Sequence, residues 1–205
     1  MHLVLVRHGR TAWNKDGRFQ GHADVELCDT GRAEASFIAD ALAKERFDSA
    51  VSSDLSRAWD TAQTIAGRHP DLNVHSDRRL RELFYGSWEG LTWEQIVARY
   101  PTMREVSLSS PADYAIEGGE SFVHMRDRVA EVLSELRASQ LRTVLIVTHA
   151  GPLHAILRTL LPADHDALRV RFAPASITRL NVENGRGRLV VLNETRHLST
   201  LPTSY

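Results

Sequence analysis

The chain has 205 residues, 42% of them hydrophobic and 25% charged, with a formal net charge of −1. That length fits one domain, 1–205, or one domain carrying an inserted segment, and it can bury a full core without staples. The near-neutral balance argues against a nucleic-acid surface, which would show a basic stripe, and the single cysteine, Cys28, excludes an internal disulfide and a thiolate zinc site.

The first element is the apolar run Leu3–Val6, read as a buried strand. Ala33, Phe37, Ile38, Ala41 and Leu42 then recur at helical spacing, with Thr30 as the expected N-cap. Ser49–Ser52 is a short second strand, a helix carrying Ala58, Ala62 and Ile65 starts near Leu55, and Asn73–His75 is a third, minor strand. Thr92-Trp93-Glu94-Gln95 reads as a capping box. Pro101, Pro111, Gly118 and Gly119 break residues 100–119 into loop, and residues 83–120 are expected to form an insertion over one end of the sheet. Phe122, Met125, Val129, Val132, Leu133 and Leu136 mark a long amphipathic helix. Thr143–Val147 is the most strand-like run and is expected at the centre of the sheet. Gly151-Pro152 opens a helix with Pro152 near its first position, and Ile177–Val182 and Leu189–Leu192 flank Asn184-Gly185 in a hairpin with a loop longer than two residues. Strands alternating with helices predict an α/β fold, three layers deep, with a mostly parallel central sheet.

Three strand-to-helix junctions carry the chemistry: Arg7-His8, then Ser53-Asp54-Leu55-Ser56-Arg57, then Thr148-His149. In open α/β sheets ligands bind beyond the carboxyl ends of the strands, so basic groups from separate junctions aim at one place. The ligand that suits them is a phosphoryl group, whose charge sits on its equatorial oxygens and which guanidinium forks hold bidentately. Arg7 and Arg57 are the candidate holders, with His149 as a third donor. His8 is the candidate nucleophile, which needs a neutral ring with one bare nitrogen and the other held by an acceptor such as a backbone carbonyl. Glu82, among aromatic and apolar neighbours, is the candidate proton donor to the leaving oxygen, with Glu89 as its competitor.

Arg7-His8-Gly9-x-Thr11-x-x-Asn14, Arg57 in Ser-Ser-Asp-Leu-Ser-Arg-Ala, Glu82 ahead of Gly86, and Thr148-His149-Ala-Gly151 together resemble the histidine phosphatase superfamily, whose best-known branch is the cofactor-dependent phosphoglycerate mutases. The match covers about residues 2 to 160. The resemblance implies that His8 becomes a phosphohistidine, that Arg7, Arg57 and His149 form the phosphate pocket, that Glu82 rather than Glu89 gives the proton, and that Asn14, Gln20 and Gly21 line the pocket. It implies no metal and no cofactor. Phe84–Gly90 and Gly118–Ser121 look more like the phosphatase branch, while Arg10 departs from the common Glu or Gln of the motif.

The expected function is therefore a metal-independent phosphomonoester hydrolase acting on a small phosphorylated metabolite. The alternatives are mutase-type phosphoryl transfer and a non-catalytic phosphosite-binding module. His22 and Arg10 are candidate substrate contacts. The remaining histidines show no metal spacing. No nucleic acid and no membrane are expected as partners, since no run approaches the ~18 apolar residues of a bilayer span. An exposed edge strand leaves room for a homo-oligomer. The lone thiol and the lack of a signal-like apolar segment predict a cytoplasmic location.

Overall fold

The computed structural model describes residues 1–101 and 116–199. Its elements in chain order are β1 (His2–Arg7), α1 (Ala12–Lys15), α2 (Asp29–Leu42), β2 (Ser49–Ser52), α3 (Ser56–Ala66), β3 (Val74–Ser76), α4 (Trp93–Arg99), α5 (Phe122–Ala138), β4 (Thr143–Thr148), α6 (Ala150–Leu160), β5 (Ile177–Glu183) and β6 (Arg186–Glu194), with short 3₁₀ turns between. The sheet has six strands in the order β3-β2-β4-β1-β5-β6. β3, β2, β4 and β1 are parallel, and β5 and β6 add antiparallel strands at one side.

Because β1 and β4 are buried on both faces, their sequences read as unbroken apolar runs rather than alternations. Leu3, Leu5, Val144 and Ile146 face the core built by α5 and α6. Val4, Val6, Leu145 and Val147 face the core built with Ile38 and Leu42 of α2 and Ala58, Ala62 and Ile65 of α3. The result is the three-layer α/β arrangement. Parallel pairing sets Arg7 opposite Thr148 and Ser52 opposite Val147, so β1, β4 and β2 end side by side. His8, His149 and Ser53 are the residues just beyond those ends.

Several element boundaries differ from the sequence reading. α2 begins at Asp29 with Cys28, not Thr30, at the N-cap and no side-chain cap bond. Leu27 is bridged to Thr11, and the Cys28 N–H donates to the Arg10 carbonyl, which keeps the chain extended up to that point. β3 lies one residue later than expected, because pairing with Ala50–Ser52 selects Val74–Ser76. The last hairpin has a two-residue loop, not a longer one: Asn184 and Gly185 have φ of 50° and 77°, and the polar strand ends Glu183 and Arg186 pair although they break the apolar pattern. α6 begins at Ala150, which places Pro152 third in the helix, still within the turn whose N–H groups have no helical partner. The Thr92–Gln95 capping box is formed as expected. Part of the 83–120 segment, including the expected loop around Pro111, lies outside the described residues.

Candidate active site

A cavity of about 700 Å³ opens at the carboxyl ends of β1 and β4. Arg7, His8, Asn14, Gln20, Arg57 and Glu82 stand on its wall. His149 is fully buried immediately behind it, its ring centroid 5.0 Å from that of His8.

His8 leaves β1 with its backbone N–H bonded to the Thr148 carbonyl at 3.0 Å. Its Nδ1 lies 2.7 Å from the Gly9 carbonyl, and a carbonyl only accepts, so Nδ1 carries the proton and Nε2 is bare. Burial, then Arg57 and Arg7 nearby, hold the imidazole well below its usual pKa. The ring is thus neutral in the resting site, with its lone pair available. Gly9 keeps the turn tight, because a Cβ there would strike the Gly31 carbonyl.

Arg57 is buried and Arg7 half-buried, and neither makes an ion pair among the described residues. Arg7 Nη1 donates to the Phe172 carbonyl at 2.5 Å. Arg57 donates to the Ala23 and Gly21 carbonyls at 2.9 and 2.8 Å. In both residues Nε is buried and has no partner. Burial lowers the pKa of Arg7, and it brings Arg57 down to about 10. His149 repeats the theme. Its Nε2 meets Ser53 Oγ at 2.9 Å, its Nδ1 is buried and unpaired, and burial followed by Arg57 holds its pKa well below the usual value. Buried donors left unpaired are costly. A cluster of them around one cavity implies an anion that satisfies them together.

Glu82 is held in place by several separate devices. Its Oε1 accepts the N–H groups of Leu83 and Gly151, both at 2.9 Å. The second donor is a first-turn amide of α6, one of those without a helical partner. Oε2 has no hydrogen bond among the described residues. Arg128 of α5 donates to the carbonyls of Arg79, Arg81 and Glu82 at 2.6, 2.7 and 2.8 Å and pairs with Glu120. Arg128 has no place in the sequence reading, because it acts from elsewhere in the chain through backbone carbonyls and no local motif marks it, and Glu120 enters that reading only within the Gly118–Ser121 run, with no role of its own. Ser53 is legible only as part of the junction that carries Arg57, and Thr61, whose Oγ1 accepts the Gly9 N–H at 3.2 Å, is marked by no local motif.

Three of the predicted contacts stand off the cavity wall. Gly21, with φ of 55°, gives its carbonyl to Arg57. His22 donates from Nε2 to the Glu82 carbonyl at 2.9 Å and stacks on Phe84. Arg10 pairs with buried Glu34, which also accepts the Arg10 N–H. Glu89 is also off the wall. Its Oε1 accepts the His22 N–H at 2.7 Å and would be struck by a Cβ on Gly21, so it braces the loop that holds Arg57. Gln20 remains on the wall with Oε1 buried and unpaired. Among the described residues no group of three or more His, Cys, Asp or Glu is placed to hold a metal ion.

Comparison with known proteins places the chain among relatives. The profile of the histidine phosphatase superfamily (branch 1) matches residues 3–195. The chain is 34% identical over 199 residues to phosphoglycerate mutase-like protein 4 of Arabidopsis thaliana, covering 96% of this chain and 86% of that one. It is also 34% identical over 202 residues to the metal-independent phosphoserine phosphatase of the same plant, covering 97% and 84%. A mycobacterial glucosyl-3-phosphoglycerate phosphatase solved with VO3 superimposes with a TM-score of 0.81 at 36% identity, over 95% of this chain and 99% of the other.

Proposed function

The chain belongs to the histidine phosphatase superfamily, and from that footing we propose how its residues share the work of hydrolysing a phosphomonoester. It is a metal-independent phosphatase of the phosphohistidine type. The observation that carries the residue assignment is the set of buried, unpaired donors, Arg7 Nε, Arg57 Nε and His149 Nδ1, around a histidine whose other nitrogen is tied to Gly9.

In this reading the phosphoryl oxygens take up those donors, and His8 Nε2 attacks phosphorus. The ester P–O bond breaks as the N–P bond forms, and Glu82, protonated for this step, gives its proton through Oε2 to the leaving oxygen. Water then attacks the phosphohistidine, Glu82 takes the water's proton, the N–P bond breaks, and inorganic phosphate leaves. Splitting one difficult displacement into two easier ones is the gain of covalent catalysis. The fixed cationic cage supplies the electrostatic stabilisation where charge develops.

The substrate is a small phosphorylated metabolite, in keeping with the named relatives. Asn14 and Gln20 are its proposed contacts on the wall, and Gly21, His22 and Arg10 act from behind it. The segment 83–120 is proposed as the cover of the site. We further propose a cytoplasmic location and self-pairing of copies along the outer edge of β6, where Val190 is exposed. The sedimentation coefficient of the purified chain tests the pairing.

His8→Ala should abolish turnover of 4-nitrophenyl phosphate, while chelator should leave the native chain fully active. Retained turnover in His8→Ala would end this assignment. The name of the mutase-like relative keeps phosphoryl return as a second reading. Incubation with 3-phosphoglycerate and a bisphosphoglycerate primer separates the two: release of inorganic phosphate supports hydrolysis, and dominant isomer formation supports the mutase.

A further inference from the structure

We propose that Arg171 is a specificity-determining residue that binds a second anionic group on the leaving part of the substrate. This rests on the hydrolase reading and extends it from the phosphoryl group to the rest of the molecule.

Residues 171–176 run along the exit of β1 and are fastened to it. The Phe172 carbonyl accepts from Arg7. The Ala175 N–H donates to the His8 carbonyl and the Arg7 N–H to the Ser176 carbonyl, at 3.0 and 3.1 Å. Asn193 of β6 grips the segment from outside: Oδ1 accepts the Ala173 N–H at 2.8 Å, and Nδ2 donates to the Arg171 carbonyl at 3.1 Å. Ala175 and Asn193 both take positive φ, 58° and 52°, a conformation that costs non-glycine residues energy and tends to gather where function requires it. The backbone of Arg171 is therefore fixed relative to His8, not carried on a free loop.

Arg171, an exposed residue, lines the same cavity as His8 and Arg7. Among the described residues it makes no ion pair and no side-chain hydrogen bond, and its charge is felt at Arg7, where it works against the protonated form. Of the other arginines on the wall, Arg7 and Arg57 are assigned to the phosphoryl group, and Arg18 is already engaged by the Gly90 carbonyl and Asp16. Phe19, Tyr85, Trp93 and Phe172 supply apolar wall around these charges, with Glu94 as the acidic group there besides Glu82. Arg171 thus offers an unused planar fork beside the phosphoryl pocket, a match for a carboxylate or a second phosphate.

Three esters on one carbon frame test this: 3-phosphoglycerate, glycerol 3-phosphate and glycerol 1,3-bisphosphate. They differ in carrying a carboxylate, a neutral hydroxymethyl or a phosphate at the far end. The native chain should prefer one or both of the doubly anionic esters to glycerol 3-phosphate, and the preferred one identifies the anion. In Arg171→Gln that preference should fall about ten-fold or more, chiefly through KM, the scale expected for one charge-assisted contact. Arg171→Lys should keep part of it. An unchanged preference in Arg171→Gln, an equal loss on all three esters, or turnover of 4-nitrophenyl phosphate with none of these esters would overturn the proposal and leave the hydrolase standing. Absence of turnover on every ester, the aryl phosphate included, would overturn the hydrolase reading itself.

Discussion

Ser53 illustrates how much of the site is decided one atom behind it. Its Oγ accepts the Leu55 N–H at 3.3 Å and has one proton to give. Given to His149 Nε2, that proton leaves Nδ1 as the protonated nitrogen, and Nδ1 is the atom without a partner. In that tautomer a neutral His149 presents an N–H to an anion without paying to charge a buried ring. Removal of the hydroxyl frees the ring to take the other tautomer and leaves Nε2 unpaired. Ser53→Ala should weaken inorganic phosphate binding, measured as a competitive inhibition constant, by about ten-fold, the equivalent of one buried hydrogen bond of ~1.4 kcal/mol. Far-ultraviolet circular dichroism should report an unchanged fold. An unaltered inhibition constant would show that Ser53 is only a filler of the β2 exit.

At the scale of elements, the site is an agreement between strand ends and one helix start. His8, Arg57 and His149 were legible because each follows a recognisable apolar run or opens a helix, so local pattern places it at a junction. Glu82 was legible only as a candidate, since its placement depends on α6 and α5, far away in sequence. Arg128 and Asn193 were not legible at all, and Glu120 only as part of the Gly118–Ser121 run: they act through long-range hydrogen bonds to backbone, and a helix-face arginine or a strand asparagine looks the same whether or not such carbonyls wait nearby. The hairpin was misjudged for a related reason, since backbone pairing of Glu183 with Arg186 needs no apolar pattern. The α6 start also gives a sharp test. A Cβ at Gly151 would collide with Glu82 Oε1 and press on Met125 Sδ, in a helix where alanine is otherwise the better former. Gly151→Ala should therefore leave thermal stability close to native yet lower kcat by ten-fold or more, because proton transfer depends on a carboxyl group placed within hydrogen-bond reach. A fall in stability with kcat intact would mean that the helix, not Glu82, had moved.

Across the whole molecule, the cost of this pocket should be visible as acid sensitivity. His8 and His149 are both fully buried and held well below the ordinary imidazole pKa, so the folded chain refuses protons that the unfolded chain accepts. Above the unfolded value of ~6.5 both states are neutral and the contribution to stability is complete. As pH falls below it, the unfolded state binds more protons and stability declines, by at most ~1.4 kcal/mol per pH unit for each histidine. The half-buried His22, His154 and His197, also lowered mainly by burial, add in the same direction. Glu34 and Glu89 have their pKa raised by burial, so they oppose this trend, but only nearer the carboxylate range. The interval from about pH 7 to 5.5 therefore belongs to the histidines. Urea titrations across that interval should give a falling free energy of unfolding at constant m-value, and His149→Gln should flatten the fall by close to half of the share that His8 and His149 contribute. A stability that is level from pH 7.5 to 5.5 would mean that these rings accept protons in the folded chain, and the bare, neutral Nε2 on which attack by His8 depends would not exist at the lower end of that range.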